Sequence, residues 1–282
     1  MFAYLPGAIG ELDLMAIILP SDFKADGRFK RADHPTRVSL FNSTKQAKAS
    51  IRKDAKIIAD LSHKIYAQGK PAVLIVLQGM DTSGKDGTTK AVFSRAAPMN
   101  LRVESFKVPS KVERAHDYLW RVHKVVPGQG QITVFNRSHY EDVLVVKVRG
   151  LAPTDAIKKR YRQINDFEQT LVENGMLILK FWLNLSKQTQ GKRLAARLVE
   201  PHKLWKFNPG DLEDRLLWKQ YMKAYEIMVR RTSTKYAPWY VIPSDHRPTR
   251  NAIIASIIRQ KLEALGPQYP NPGYRPGDFV IG

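Results

Sequence analysis

Short apolar runs alternate along this chain with longer segments in which apolar residues recur every three or four positions. The run from Ala72 to Leu77 is apolar throughout, which is typical of a strand buried on both faces of a sheet. The segment from Ser43 to Gln68 instead places Ile51, Ile58 and Ile65 on one side of a helix. Apolar runs predict strands at 72–77, 132–135, 176–183 and 239–242, and an alternating pattern predicts another at 101–107. The helical spacing predicts helices at 43–68, 85–97, 111–125, 154–174, 186–199, 211–231 and 250–265.

Because strands and helices alternate, the sheet should be largely parallel, with right-handed crossover connections. We expect one α/β domain over residues 43–265, since no linker rich in Pro, Gly or Ser divides it. We expect residues 1–42 to form an irregular N-terminal arm that packs on the domain or on a neighbouring chain. Residues 266–282 are expected to form a C-terminal tail. A hydrophobic fraction of 43% in 282 residues is enough for one large core.

The composition excludes several classes of protein. The chain has no cysteine, so disulfides, thiolate metal sites and cysteine catalysis are ruled out. The longest apolar runs are far too short to span a bilayer, and we expect no membrane partner. No basic segment precedes the first apolar run, so no signal peptide is recognised and a cytoplasmic protein is the default expectation.

The net charge of the chain indicates what kind of partner it binds. There are 46 Lys and Arg against 26 Asp and Glu, a formal net charge of +20. Such an excess indicates a polyanionic partner, which could be a nucleic acid, an anionic membrane surface or a polyphosphate. The alternative is that the basic residues only solvate the surface, but net charges of about 2–8 already suffice for that in a small domain.

The end of the first predicted strand carries the clearest chemical signal. Gly79, Gly84 and Lys85 follow an apolar strand and precede a helical pattern, which is the layout of a phosphate-binding loop. Backbone N–H groups of such a loop hold an anion and its lysine reaches the outer phosphates. The candidate phosphate- and nucleotide-binding residues of this segment are Gly79, Met80, Thr82, Ser83, Gly84, Asp86, Gly87 and Thr88, with Lys85 as the candidate catalytic lysine.

Two acids make this loop irregular. Asp86 replaces the Ser or Thr whose hydroxyl ordinarily holds Mg²⁺, and Asp81 lies within the loop itself. An acid beside phosphates repels them unless a cation lies between, and carboxylates are ordinary Mg²⁺ ligands. We therefore expect Asp81 to bind the metal. For Asp86 we favour a simpler interpretation, an acid that stabilises the N-terminus of a helix.

A second candidate group follows the strand predicted at 132–135. Asn136 stands where a strict acidic element would place Asp, and the acids Glu141 and Asp142 come later. Arg137 follows the carboxyl end of the strand, where ligands bind in open α/β sheets, and an arginine there can stabilise a transferring phosphoryl group. The alternative, which spacing alone does not exclude, is a structural turn with an Arg–acid ion pair. His139 is interpreted as a turn residue, since phosphoryl transfer needs little proton chemistry.

A third candidate group is basic. Arg193 and Arg197 are one helical turn apart, and Lys203 and Lys206 flank Trp205 in the loop beyond. P-loop kinases commonly carry a lid at this position, which we place at about residues 186–210. A closing lid excludes water from the reaction. The alternative is a solvated basic face.

Together these motifs resemble the polyphosphate kinase 2 family. The resemblance covers roughly residues 43–265. It rests on the segments 79–87, 135–142 and 203–207, and on the aromatic-rich region 211–242 with its Ala-Pro-Trp-Tyr-Val-Ile-Pro run. It implies a P-loop kinase-like three-layer sandwich with a five-stranded parallel sheet and a helical lid. Many members have Asp at the position of Asn136, and the Asn form resembles the single-domain class III branch.

The resemblance also implies an activity. Members transfer phosphoryl groups reversibly between inorganic polyphosphate and nucleotides with Mg²⁺, and Mn²⁺ is a possible substitute. Class III members phosphorylate nucleoside mono- and diphosphates, so ADP, ATP, AMP and guanine nucleotides are the expected partners. The resemblance implies a homodimer or homotetramer. It matches Asp81, Lys85 and Arg137 to the family's catalytic residues, places the second metal carboxylate on Asp142, and matches the basic lid residues to those that hold polyphosphate.

Two other functions remain open from the residues alone. An ATP-dependent nucleoside or nucleotide kinase would share the loop but would need no groove for a polyanion. A nucleic-acid-binding protein with a degenerate loop would use the aromatic and basic residues of 203–207 for base stacking. Against the latter, most aromatic residues fall on predicted helices at core spacing, and we expect no nucleic-acid partner.

Overall fold

The computed structural model describes residues 17–281 of the chain. The strands within these residues are β1 Ala72–Gln78, β2 Leu101–Ser105, β3 Ile132–Asn136, β4 Met176–Asn184 and β5 Trp239–Pro243. All of them are parallel, and they lie in the order β2-β3-β1-β4-β5. The predicted five-stranded parallel sheet is confirmed, with boundaries shifted by a few residues.

Helices cover both faces of the sheet, which makes a three-layer α/β/α sandwich. The helices are α1 Thr44–Gln68, α2 Lys85–Val92, α3 Lys111–Arg114, α4 Trp120–His123, α5 Val145–Val148, α6 Thr154–Glu173, α7 Lys187–Val199, α8 Pro201–Leu204, α9 Gly210–Leu216, α10 Trp218–Thr232 and α11 Arg247–Glu263. Side chains of β1 alternate between two buried clusters: Val73 and Ile75 pack with α1 and α11, whereas Leu74 and Val76 pack with α6 and α10.

The predicted helices at 111–125 and 211–231 are wrong as single elements. The first is divided into α3 and α4 by Asp117, whose side chain accepts hydrogen bonds from the N–H groups of Leu119 and Trp120 at 2.9 and 3.1 Å. The second is interrupted at Leu217, between α9 and α10. Helix α2 also ends at Val92, well before the predicted Ala97, and α11 begins at Arg247 instead of residue 250.

The described part of the N-terminal segment packs on the edge strand β5. The N–H of Ala25 donates to the carbonyl of Trp239 at 2.8 Å, and Phe23 and Phe29 are buried. The rest of the predicted arm, residues 1–16, lies outside the described residues. At the other end, Tyr269 of the predicted tail bonds to His63 of α1 at 3.0 Å. Across residues 17–281, no helix has the length and apolar character needed to cross a membrane.

Candidate active site

The loop between β1 and α2 has a backbone that requires glycine. Gly84 has a φ of 106°, and a Cβ atom there would lie 2.1 Å from Nη1 of Arg250. Thr82 also has a positive φ, 64°, which is uncommon outside glycine and marks a constrained turn. The strand–loop–helix arrangement predicted from the sequence is therefore present, with Gly84 immediately before the first residue of α2.

Lys85 lies inside this loop. Its ammonium group donates to the carbonyl of Gly79 at 2.7 Å and to that of Met80 at 3.4 Å, and the residue is buried. Burial and the charge of Arg137 lower the pKa of Lys85, while Asp81 opposes them. An anion bound at the loop would supply the negative charge that this buried cation otherwise lacks.

Arg137 connects the turn after β3 to the loop. Its guanidinium forms an ion pair with Asp81, and its Nη1 lies 3.6 Å from Oε2 of Glu141. Its φ is 63°, and its N–H donates to the carbonyl of Leu77 at 3.1 Å. Burial alone would raise the pKa of Asp81, but Arg137 and Lys85 hold it below its ordinary value, so Asp81 is ionised.

Asp86 contacts the same strand end. It lies in the first turn of α2, where an acid favours the helix dipole, and its Oδ1 accepts a hydrogen bond from Nδ2 of Asn136. The interpretation of Asp86 as an acid at a helix N-terminus therefore agrees with its position.

These residues open onto a cleft of about 610 Å³. Its lining carries many more basic than acidic side chains, which makes it a site for an anion. The acids are Asp81 and Asp86. The basic residues of the lining are Lys85, Lys107, Arg137, Arg193, Arg197, Lys203, Lys206, Arg247 and Arg250. All four basic lid residues predicted to hold polyphosphate thus lie around the cleft.

Arg193 makes contacts that were not anticipated. Its guanidinium donates to the carbonyls of Thr82 and Ser83 at 2.9 and 3.3 Å, and to those of Ser244 and Asp245 at 2.8 and 2.9 Å. It therefore supports the backbone of the loop as well as lining the cleft. Burial and the charge of Arg247 lower its pKa to about 10.

Arg250 of α11 supports the loop from the other side. It donates to the carbonyl of Ser83 at 2.7 Å and to Oδ1 of Asn251 at 2.9–3.0 Å. Burial, Arg193 and Arg247 lower its pKa to about 9. Within residues 17–281 neither Arg193 nor Arg250 forms a salt bridge, so their buried charges favour a bound anion.

The other basic residues of the lid are held more loosely. Arg197 bonds to Oδ2 of Asp211 at 2.8 Å and to the carbonyl of Lys206 at 2.9 Å. Lys203 pairs with Glu200, and the ammonium of Lys206 lies 4.9 Å from the ring centre of Trp205. These contacts leave Lys203 and Lys206 at the surface of the cleft.

Asp142, predicted as the second metal ligand, is not brought into the cleft. Arg160 donates to Oδ1 of Asp142 at 3.1 Å and to its carbonyl at 3.0 Å. Asp142 is not among the residues that line the cleft. Burial raises its pKa to about 6 despite this ion pair.

Several residues that line the cleft were not predicted from the sequence. Arg247 and Arg250 follow the carboxyl end of β5, the same sheet edge that carries the loop, and this position could have identified them. Phe106, Lys107 and Val108 also line the cleft, because β2 ends at Ser105, before the predicted end of the strand at Lys107.

Asp211 was not predicted either. It is buried and interacts with Asp81, and burial together with that neighbouring charge raises its pKa to about 6.

The donors present suit a magnesium ion that is bound partly by its substrate. In the described part of the chain, no cluster of three or more His, Asp or Glu side chains is arranged to hold a metal by itself. Mg²⁺ in phosphoryl-transfer sites is commonly bound by one or two carboxylates, with substrate phosphates and waters as its other ligands. The ionised Asp81 at the mouth of the phosphate loop fits this mode of binding.

Comparisons with known proteins show which family the sequence and the fold match. The family model of polyphosphate kinase 2 matches residues 41–269. The AMP/ADP-polyphosphate phosphotransferase of Meiothermus ruber is 50% identical over 259 residues, covering 91% of this chain and 97% of that protein. The ADP-polyphosphate phosphotransferase of Rhodopseudomonas palustris is 41% identical over 84% of this chain and 86% of that protein. The crystal structure of polyphosphate kinase 2 from Arthrobacter aurescens matches with a TM-score of 0.86 at 36% identity, over 93% of each chain.

Proposed function

The chain belongs to the polyphosphate kinase 2 family, and we propose that it is a phosphotransferase that moves phosphoryl groups reversibly between inorganic polyphosphate and nucleotides. The acceptors in this proposal are ADP and AMP, and the guanine nucleotides GDP and GMP. The observation that carries it is the basic cleft around the phosphate loop, whose lining includes nine Lys and Arg side chains, among them Lys107, Lys203 and Lys206. A single nucleotide would not need so many cationic groups.

Polyphosphate suits this cleft because it is a linear polyanion. Basic side chains that neutralise its phosphates release condensed counterions, as in binding to nucleic-acid backbones. Lys203 and Lys206 of the lid are suited to gripping the chain, since their contacts within the protein leave them at the cleft surface. Arg193 contributes positive charge while its guanidinium supports the loop.

Catalysis in this proposal is positioning and electrostatic stabilisation. The acceptor's terminal phosphate oxygen attacks the terminal phosphorus of polyphosphate; the bond to the bridging oxygen breaks, and that oxygen leaves on the shortened polymer. Lys85 and Arg137 neutralise charge on the oxygens of the transferring group. Asp81 keeps Arg137 oriented toward the loop through their ion pair. Holding donor and acceptor in line supplies the remaining reduction of the barrier.

Asp81 is also the residue that would hold the divalent cation, with Mg²⁺ preferred and Mn²⁺ as a substitute. When bound there, the cation would supply positive charge that offsets the negative charge of the phosphates. Asp142 is not part of this assignment, because its carboxylate pairs with Arg160 and it does not line the cleft. The segment from about 186 to 210 serves as the lid, and the active assembly is a homodimer or homotetramer.

A panel of acceptors tests the proposal. AMP, ADP, GMP and GDP are each incubated with long-chain polyphosphate as the only donor, and nucleotide products are separated by chromatography. Formation of ATP from ADP, and of ADP from AMP, is the expected result. Transfer only when ATP is supplied as donor would favour the alternative, an ATP-dependent nucleoside or nucleotide kinase.

A further inference from the structure

A charged pair lies in the core beneath the turn that carries Arg137. Glu168 of α6 and Lys180 of β4 are both fully buried, and Nζ of Lys180 lies 2.5 Å from Oε2 of Glu168. The same ammonium donates to Oη of Tyr140 at 2.9 Å and to the carbonyl of Thr232 at 2.7 Å. All three of its N–H groups are therefore used.

The second oxygen of Glu168 binds the turn itself. Oε1 accepts a hydrogen bond from Oη of Tyr140 at 2.7 Å, and Nε2 of His139 lies 3.3 Å away. His139 and Tyr140 begin the 3-10 turn His139–Val143, two residues after Arg137. One buried carboxylate thus holds two consecutive side chains of the segment that leads out of the cleft.

A further hydrogen bond ties this segment to the end of β1, next to the phosphate loop. Oγ of Ser138 accepts from Nε2 of Gln78 at 3.1 Å and from the N–H of Tyr140 at 3.2 Å. Gln78 is the last residue of β1, directly before Gly79. Arg137, whose φ is positive, therefore lies between its own bond to Leu77 and the bonds of Ser138 to Gln78 and Tyr140. A non-glycine residue keeps such a conformation only where its surroundings enforce it.

Stability alone does not account for this pair. Taking two charges out of water is costly, and apolar residues of similar volume often replace a buried ion pair with no loss of stability. The arrangement does, however, define one geometry for Tyr140 and His139. We propose that Glu168 and Lys180 are positioning residues, which act through Tyr140 to hold the guanidinium of Arg137 at the cleft. This inference rests on the proposed function, in which Arg137 stabilises the transferring group.

The test is a double-mutant cycle between the core pair and Arg137. Glu168→Gln/Lys180→Met replaces both charges, and Tyr140→Phe removes only the connecting hydroxyl. Each is expected to lower kcat roughly 10- to 100-fold, the effect of misplacing a catalytic group by about 1 Å, with little change in the KM for the nucleotide. In an Arg137→Ala background the same changes should lower kcat by no more than about twofold, because the group they position is gone.

A matched control separates positioning from general loss of stability. The buried Asp54 and the partly exposed Arg259 form another ion pair, 2.8 Å apart, between α1 and α11. Asp54→Asn/Arg259→Met should lower the melting temperature yet leave kcat within about twofold of the wild type, as for changes that do not couple to the site.

Binding of tripolyphosphate, measured by calorimetry on the same variants, provides a readout without turnover. There too the core variants should weaken binding only when Arg137 is present. The inference would be overturned if the variants lost the same factor in kcat and in tripolyphosphate affinity with and without Arg137. It would also be overturned if Tyr140→Phe and the core double variant both kept the full kcat. If the double variant does not fold, the result for Tyr140→Phe decides alone. If the wild type were inactive with polyphosphate, the proposed function would be refuted instead. The double-mutant cycle measured by tripolyphosphate binding would still test whether Glu168 and Lys180 position Arg137.

Discussion

Arg137 and Asp81 form an ion pair that joins the turn after β3 to the phosphate loop after β1. The two residues come from neighbouring parallel strands, whose carboxyl ends meet at one edge of the sheet. The pair explains why an acid is tolerated inside a phosphate-binding loop. Its charge is compensated by Arg137 and Lys85, which also keep its pKa low.

Replacing Asp81 by Asn should abolish most activity and weaken the dependence on divalent cation. The amide keeps the size of the side chain but removes the charge that would hold the cation and orient Arg137. We expect kcat to fall at least about 100-fold, comparable to the loss of one electrostatic group at a transition state. Titrating Mg²⁺ at saturating substrates measures both effects. Asp155→Asn, an exposed acid of α6, is the control, and an Asp81→Asn enzyme with unchanged activity and Mg²⁺ dependence would contradict the assignment.

Gly84→Ala should disable the loop for a steric reason. The new Cβ would collide with the guanidinium of Arg250, so either the loop or the buried arginine must move. Gly175→Ala is the matched control, because Gly175 also has a positive φ, 84°, but its Cβ would meet nothing within 4 Å. Both variants should lose about 1 kcal/mol of stability from backbone strain. Only Gly84→Ala should also lose binding of ADP and tripolyphosphate by calorimetry; equal binding in the two variants would refute the argument.

Lys203→Gln/Lys206→Gln should raise the KM for polyphosphate and reduce its dependence on salt. Each removed contact with the polymer should lower the slope of log affinity against log salt by about 0.7, the value for a single-stranded polyanion. The KM for ADP should change little. Lys158→Gln/Lys159→Gln on α6 is the control pair, lying outside the cleft lining. The slopes are measured by steady-state kinetics at KCl concentrations from about 50 to about 300 mM, a range over which screening changes strongly. Identical slopes in both double variants would contradict the proposal that these lid residues bind polyphosphate.

Asp142 should give folding stability a pH dependence of known sign. Its folded pKa is about 6, against an ordinary value of 3.8, so between these pH values the folded state binds a proton that the unfolded chain does not. This contribution to the free energy of unfolding is fully present below about pH 4 and is lost as the pH rises through about 6. A pKa difference of about two units between the folded and unfolded states corresponds to about 3 kcal/mol.

Urea unfolding of the wild type and Asp142→Asn from pH 4 to pH 7 measures this contribution. As the pH falls from 7 to 4, the free energy of unfolding of the wild type should rise relative to that of the variant by up to about 3 kcal/mol. Parallel stability curves for the two proteins would show that Asp142 is not the responsible group.

The order of the elements and the loop could be predicted because they depend on local pattern. Apolar runs predicted β1, β3, β4 and β5, and an alternating pattern predicted β2, while Gly84 with Lys85 marked the loop between β1 and α2. The divided helices could not be predicted in the same way. Leu212 and Leu216 continue the helical spacing of α10 but are exposed, because the chain changes direction at Leu217.

The candidate site was only partly accessible to sequence reasoning. Asp81, Lys85 and Arg137 lie beside strand ends, and parallel pairing brings strand ends together. Asp142 lies only a few residues beyond Arg137, yet the 3-10 turn directs its carboxylate to Arg160. Asp211 approaches Asp81 from a distant part of the chain, and nothing in its local sequence specifies that approach.

The central claim is that polyphosphate is the phosphoryl donor at this cleft. The most direct measurement is ATP production, followed by luciferase, from purified protein given ADP, Mg²⁺ and long-chain polyphosphate with no added ATP. The account predicts sustained ATP formation that stops in Lys85→Ala, since the buried ammonium of the loop is then missing. It would be contradicted by a wild type that forms no ATP from polyphosphate, or by a Lys85→Ala variant that keeps nearly full activity.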